Sequence, residues 1–193
     1  MDARIHYATT SDGYSLAYWR LGDGMTIVVP PPAMPWSDIQ DELRIPEWAH
    51  WYQHLGDHVE VVRYDGRGSG SSEREVTEIN VETHVRDLEA VIDSLGVEKV
   101  ALFGLYYSAH PAIMYAARHP NRVSHLITWC GFANGANLNN AQSAAFRTLI
   151  DADWQMFTET IAHAVFGWGE GGGVAHRVAE HLQGATTREI VSM

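Results

Sequence analysis

The stretch Val100-Ala101-Leu102-Phe103-Gly104-Leu105-Tyr106-Tyr107-Ser108-Ala109-His110-Pro111 constrains this chain more than any other. A short apolar run leads into a turn and then into an Ala-rich segment with helical periodicity. Such an order predicts a buried strand, a sharp turn and the start of a helix. This is the layout that lifts a reactive side chain above the end of a sheet, and its pattern is Gly-x-Ser-x-Gly. Counted from Gly104, the reactive slot holds Tyr106 and the second Gly slot holds Ser108. The scaffold of the turn is kept while its chemistry is altered.

The residues around it predict alternating strands and helices. Arg4–Thr9 and Tyr14–Leu21 alternate apolar and polar positions, with Ser11-Asp12-Gly13 between them as a hairpin turn. Met25–Val29 is a buried strand stopped by Pro30-Pro31-Pro32, which supply no ladder donors. Ile45–Leu55 is a helix with Pro46 in its first turn, and His58–Tyr64 is the next strand. Asn80–Leu95 is amphipathic, with Val81, Val85, Leu88, Val91, Ile92 and Leu95 on one face and Gly96 as its stop. Lys99–Phe103 and Val123–Cys130 are strands, and Ser108–His119 is the helix between them. From about Asn134 the strands cease. Ala141–Ile150, Trp154–Phe166 and Val174–Leu182 are helices, with a hinge at Gly167-Trp168-Gly169-Glu170-Gly171-Gly172-Gly173. That glycine run has no Lys-Ser/Thr follower and no preceding strand, so it is not a phosphate loop and no cofactor is expected.

Composition narrows the partners. The chain has 193 residues, 46% hydrophobic and 19% charged, which suits one folded domain with a real core. Its formal net charge of -11 argues against nucleic acid and anionic membranes. Neither a signal peptide nor a membrane-spanning run is visible, so a cytoplasmic location is expected. Cys130 is the one cysteine, which excludes an internal disulfide; its apolar neighbours predict a buried, inert thiol at a strand end. His50 and His54 stand four apart on a helix with His58 nearby, a spacing that can chelate a metal. With no Glu beside them, packing or solvent roles are the expectation and no functional metal is assigned.

Four stretches together resemble the α/β-hydrolase fold family. Arg63-Tyr64-Asp65-Gly66-Arg67-Gly68-Ser69-Gly70-Ser71-Ser72 is similar to that family's D-x-R-G-x-G-x-S turn. The turn at Gly104–Ser108 follows at the expected distance. Tyr115-Ala116-Ala117-Arg118-His119-Pro120-Asn121-Arg122-Val123 resembles the end of the helix after it, and the strand around His125–Trp129 sits at the family's sixth. A narrower likeness is to the hydrolase-like regions of some bacterial regulators and nucleotide cyclases. The resemblance implies an α/β fold with a mostly parallel, doubly wound sheet of about six strands. It implies a core over residues 1–133 and a helical cap over 134–193. It also implies a triad acid after a seventh strand and a His after an eighth, and the sequence stops at Met193 before either. In the Asp65–Ser72 turn, Asp65 and Arg67 are expected to act as a structural brace.

Candidate chemistry follows from these departures. An alcohol nucleophile needs a base in hydrogen-bond reach and a group to orient that base. Tyr106 and Ser108 are the two hydroxyl candidates, and His110 is the imidazole nearest in sequence. His163, His176 and His181 are further candidates, placed in the cap. An ordinary Tyr ionises near pH ~10, so Tyr106 needs local help as a nucleophile; the other reading has Tyr106 and Tyr107 lining an aromatic pocket. Ser108 reads either as a small structural residue or as a displaced nucleophile. The resemblance places oxyanion donors at the N–H of Tyr107 and in the loop after the third strand, where Pro30, Pro31, Pro32 and Pro35 leave Ala33 and Met34. Trp36 is a pocket candidate. Two functions remain open: a hydrolase of a small, mostly apolar ester or acyl compound, and a non-catalytic module binding a small apolar or aromatic ligand. The sixth strand would be an open sheet edge, which the cap helices folding back or a second copy could cover; a symmetric homodimer is expected.

Overall fold

A computed structural model describes residues 3–32, 36–132, 134–135, 141–169 and 172–193. Strands β1 (His6–Thr9) and β2 (Ser15–Leu21) form the opening hairpin; β3 (Thr26–Val29) and β4 (Glu60–Tyr64) follow, then β5 (Val100–Leu105) and β6 (Val123–Trp129). They make one sheet in the order β1-β2-β4-β3-β5-β6. The β1–β2 and β2–β4 pairs are antiparallel, and β3–β4, β3–β5 and β5–β6 are parallel. The α/β-hydrolase-type sheet expected from the sequence is the one observed.

Both faces of the sheet are covered, as crossover helices require. Alternation along β2 shows how the sequence divides them. Leu16 and Tyr18 join a core with Val28, Val62 and Leu102, sealed by α3 (Val81–Ser94) and α4 (Ala109–Arg118). Ala17 and Trp19 point the other way, into a core with Val29, Val61 and Ala101 under α1 (Ile39–Glu42) and α2 (Pro46–Gly56). Helix α3 starts where its sequence says. Asn80 accepts from the Thr83 N–H while the Thr83 hydroxyl takes the Asn80 N–H, and Gly96 ends the helix at φ +69°. The short α1 has too few residues for a periodic signal; Asp38 caps it by accepting from the N–H groups of Gln40 and Asp41.

The turn Asp65–Ser72 is structural, but its brace differs from the expected one. Asp65 accepts from the N–H groups of Ile39 (2.9 Å) and Ser71 (2.8 Å). Arg67 reaches elsewhere, to Asp87 at 2.7 Å and Asp12 at 2.9 Å. The two side chains therefore tie the turn to α1 on one side and to α3 and the hairpin on the other.

The last helices are α5 (Ala141–Ala152), α6 (Trp154–Phe166), α7 (Gly172–Ala185) and α8 (Arg188–Val191). Asp153 caps α6 by accepting from the Met156 N–H. The end of α7 docks on the Asp65–Ser72 turn: Gly70 N–H donates to Ala185 O at 2.8 Å, and the Thr186 hydroxyl to Gly68 O at 3.1 Å. These helices do not cover β6. Leu126, Ile127 and Trp129 are 40%, 44% and 62% exposed. Cys130 is exposed as well, with φ +51°, which corrects the expected buried thiol. The neighbouring residues are apolar because of the strand, yet nothing among the described residues packs over its outer edge.

His84 on α3 links burial to pH. Burial, with the Arg67 charge adding to it, pushes its imidazole down to about 3. The unfolded chain then binds a proton below its own value near ~6.5 that the folded chain refuses. The associated stability is complete above about pH 6.5 and is lost as pH falls toward about 3. Thermal unfolding should show wild type losing on the order of 1 kcal/mol per pH unit below ~6.5 relative to His84→Gln. Parallel pH curves for the two proteins would contradict this.

Candidate active site

Helix α4 begins unusually close to the sheet. A Cβ added at Gly104 would lie 2.6 Å from Ala109 Cα, and one at Gly131 would lie 2.3 Å from Ala109 Cβ. Only glycine at both strand ends admits this approach. Between Gly104 and Ala109 the chain turns through Tyr106, at φ +50°. A bulky non-glycine residue in the left-handed region is strained. Tyr106 thus joins a strained backbone to the sequence slot counted from Gly104. A single 3-10 turn, Tyr106–Ser108, then leads into α4.

Ser108 is fully buried, and its hydroxyl is absorbed locally. Oγ accepts from the Leu105 N–H and donates to the Leu105 carbonyl, both at 2.9 Å. This geometry favours the structural reading of Ser108, because the hydroxyl closes the turn and Ser108 does not line the cavity above it. His110 also stays away from the cavity; its ring faces Phe132 at 6.4 Å and makes no bond to Ser108. Positions two apart on a helix point apart, which separates His110 from Ser108 despite their nearness in sequence.

Above the turn lies a cavity of about 820 Å³. Tyr106, Tyr107 and Trp36 line it, as the pocket reading expects. Ala33 and Met34, the oxyanion-loop candidates, lie outside the described residues. Tyr107 is the second residue of the 3-10 turn, within the first turn where an N–H has no intrahelical acceptor. The far wall comes from α5, α6 and α7, including Phe146, Phe157 and Leu182. Phe157 anchors that wall, meeting Trp36 edge-on at 5.4 Å and Trp154 face-on at 5.6 Å.

The polar groups of the wall are few. Glu42 is buried and both its oxygens are engaged: Oε2 accepts from the Tyr52 hydroxyl (2.6 Å) and Arg63 Nε (3.0 Å), and Oε1 from Arg63 Nη2. Burial, with the Glu42 charge adding to it, holds the Tyr52 phenol well above the ordinary range, so it stays a donor. His181 of α7 also lines the cavity. Of the three later His candidates, it alone is on the wall. His163 stacks on Trp168 at 4.4 Å, and His176 is exposed beside Glu159. Among the described residues no group of three His, Cys, Asp or Glu side chains is placed to hold a metal, and His54 and His58 meet edge-on at 5.6 Å.

The comparisons agree with this architecture. A family model described as the alpha/beta hydrolase fold matches residues 36–187. The chain belongs to the α/β hydrolase fold family. A putative carbamate hydrolase of Caulobacter vibrioides is 32% identical over 87 residues, covering 45% of this chain and 32% of that protein. A 2-hydroxy-6-oxononadienedioate/2-hydroxy-6-oxononatrienedioate hydrolase of Pseudomonas putida is 27% identical over 138 residues, covering 71% of this chain and 43% of that protein. The stretch matched therefore spans about a third to under half of the relatives' length. An esterase from Exiguobacterium antarcticum superposes with a TM-score of 0.79 at 18% identity, over 98% of this chain and 72% of that one. These are hydrolases; the narrower likeness to regulators and nucleotide cyclases is not shown by them.

Two substitutions check the turn. Gly104→Ala should cost roughly 2–3 kcal/mol, because backbone and not a flexible side chain must give way. Ser108→Ala should cost about 1–2 kcal/mol by leaving the Leu105 N–H unpaired, and any ester hydrolysis should survive it. Denaturant unfolding measures both costs. Loss of hydrolysis at unchanged stability in Ser108→Ala would restore Ser108 as a nucleophile.

Proposed function

We propose that this chain is a hydrolase-like protein that engages a small, mostly apolar ester or acyl compound in the cavity above Gly104–Ser108. The observation that carries the reading is Tyr106. It holds the strained position of the turn, at φ +50°, and lines an aromatic cavity. The hydrolase relatives support the class of chemistry. In the catalytic form, Tyr106 Oη attacks the acyl carbon and its proton passes to an imidazole. The alcohol departs with a proton, and water then cleaves the tyrosyl ester. Helices α5–α8 serve as the cap over residues 134–193, and Tyr107 N–H faces the developing oxyanion.

A second reading is favoured by one specific observation. The Ser108 hydroxyl is closed on Leu105, and the Tyr106 phenol has no hydrogen-bond partner among the described residues. A hydroxyl without a base is a weak nucleophile, so the same cavity would then bind its ligand without turning it over. Short-chain 4-nitrophenyl esters separate the two. In the catalytic reading wild type exceeds buffer, Tyr106→Phe falls to the buffer rate, and His110→Ala stays at wild type. In the binding reading wild type equals buffer while the esters' apolar analogues still raise the melting temperature.

The β6 edge supports a further part of this reading. Val123–Trp129 contains no Asp, Glu, Lys or Arg, so two copies can pair it antiparallel without opposing like charges. We propose a symmetric homodimer across this edge. Size-exclusion chromatography with light scattering should give twice the chain mass, and Ile127→Lys should return it to one. A strict monomer for wild type would rule the dimer out.

A further inference from the structure

His181 sits where two halves of the molecule meet. Its Nδ1 lies 2.9 Å from Asp41 Oδ2 across 140 residues of sequence. A carboxylate can only accept, so Nδ1 carries a proton, and in the neutral ring Nε2 then carries the lone pair. The ring is held from a second side by Trp48, edge-on at 5.1 Å. Only 2% of the side chain is exposed. Even so, Nε2 has no hydrogen-bond partner among the described residues and is not sealed from solvent. The residue lines the cavity, so its ring forms part of that wall.

We propose that the Asp41–His181 couple is a fixed hydrogen-bond acceptor for the ligand, and that the ligand is a flat aromatic molecule carrying a hydroxyl group. The inference rests on the cavity being the binding site, as argued above, and holds whether or not the ligand is turned over. Shape and chemistry argue for this class together. Trp36, Trp48, Phe146, Phe157 and Tyr106 give the cavity aromatic walls, which stack on flat rings. Glu42 offers no free oxygen, since Tyr52 and Arg63 occupy both. A bare imidazole nitrogen demands a donor, and a phenolic O–H is a good one in so apolar a setting. Asp41 contributes by fixing the tautomer: without it the ring can present an N–H instead, which an aromatic hydroxyl would no longer satisfy as a donor.

The test compares 1-naphthol with 1-methoxynaphthalene, which keeps the ring and oxygen but lacks the O–H. Titration calorimetry on the full chain should show 1-naphthol binding roughly tenfold tighter. His181→Phe, which preserves an aromatic ring against Trp48, should bind both equally, and His181→Gln provides a second, polar replacement. Long-range nitrogen NMR of wild type gives an independent readout. It should show a protonated Nδ1 and a bare Nε2, with the Nε2 signal moving on addition of 1-naphthol and not of 1-methoxynaphthalene. Equal affinity of wild type for the two probes, or an unmoved Nε2 signal, would overturn the anchor while leaving the cavity as a binding site. Absence of binding by either probe would overturn both.

Discussion

The contact between Ala109 and two glycines, Gly104 and Gly131, governs this molecule. Backbone there approaches within a distance that no side chain on either strand end would permit. Because α4 starts so close to β5, the three residues between them, Tyr106–Ser108, must turn sharply. The left-handed Tyr106 and the Ser108 hydroxyl closed on Leu105 are the local solutions to that geometry. The strain at Tyr106 is tolerated because strand, 3-10 turn and helix over-determine it. A side chain placed this way projects from the sheet end whatever its chemistry, which is why an altered residue can inherit the position of a reactive one.

A second constraint shapes the space above that turn. The Asp65–Ser72 turn holds α1 through Asp65 and receives the end of α7 through Gly68 and Gly70. The helices after β6 are therefore tied back to the core near the same end of the sheet as the 104–108 turn. The cavity is what remains between them, and its walls come from both halves. Apolar surface dominates those walls, with few polar side chains among them.

Membership in the α/β hydrolase fold family and a tyrosine at the turn after β5 are compatible for a physical reason. Fold is decided by the sheet, the covering helices and the tight turns, and the six strands here keep that arrangement. Chemistry is decided by which atoms reach one point in the cavity. A phenol at that point, with an imidazole held by a carboxylate on the same walls, can hydrogen-bond a ligand without further machinery. Turnover asks more, since the phenol must lose its proton to a partner during the reaction. The exposed β6 edge is a separate matter, set by sheet pairing and not by the cavity.

Much of the architecture was legible in the residues themselves. Period-two alternation marked β2, a period-3.6 stripe and the Asn80–Thr83 pair marked α3, and prolines and glycines marked the ends. These signals are local, because hydrogen bonding and side-chain direction repeat within a few residues. The Ser108–Leu105 bond is also local, and the habit of Ser to bond nearby backbone could have revealed it. Only tertiary structure decided the rest. Cys130 was misread because burial depends on what lies across the sheet edge. Short α1 and α8 escaped because one helical turn has no period. The Asp41–His181 couple could not be read at all, since its partners meet only when α7 returns to the core. What the sequence by itself determined is the sheet, its order of elements and the turn at Tyr106; which polar atoms share the cavity was settled by long-range packing, where no spacing rule applies.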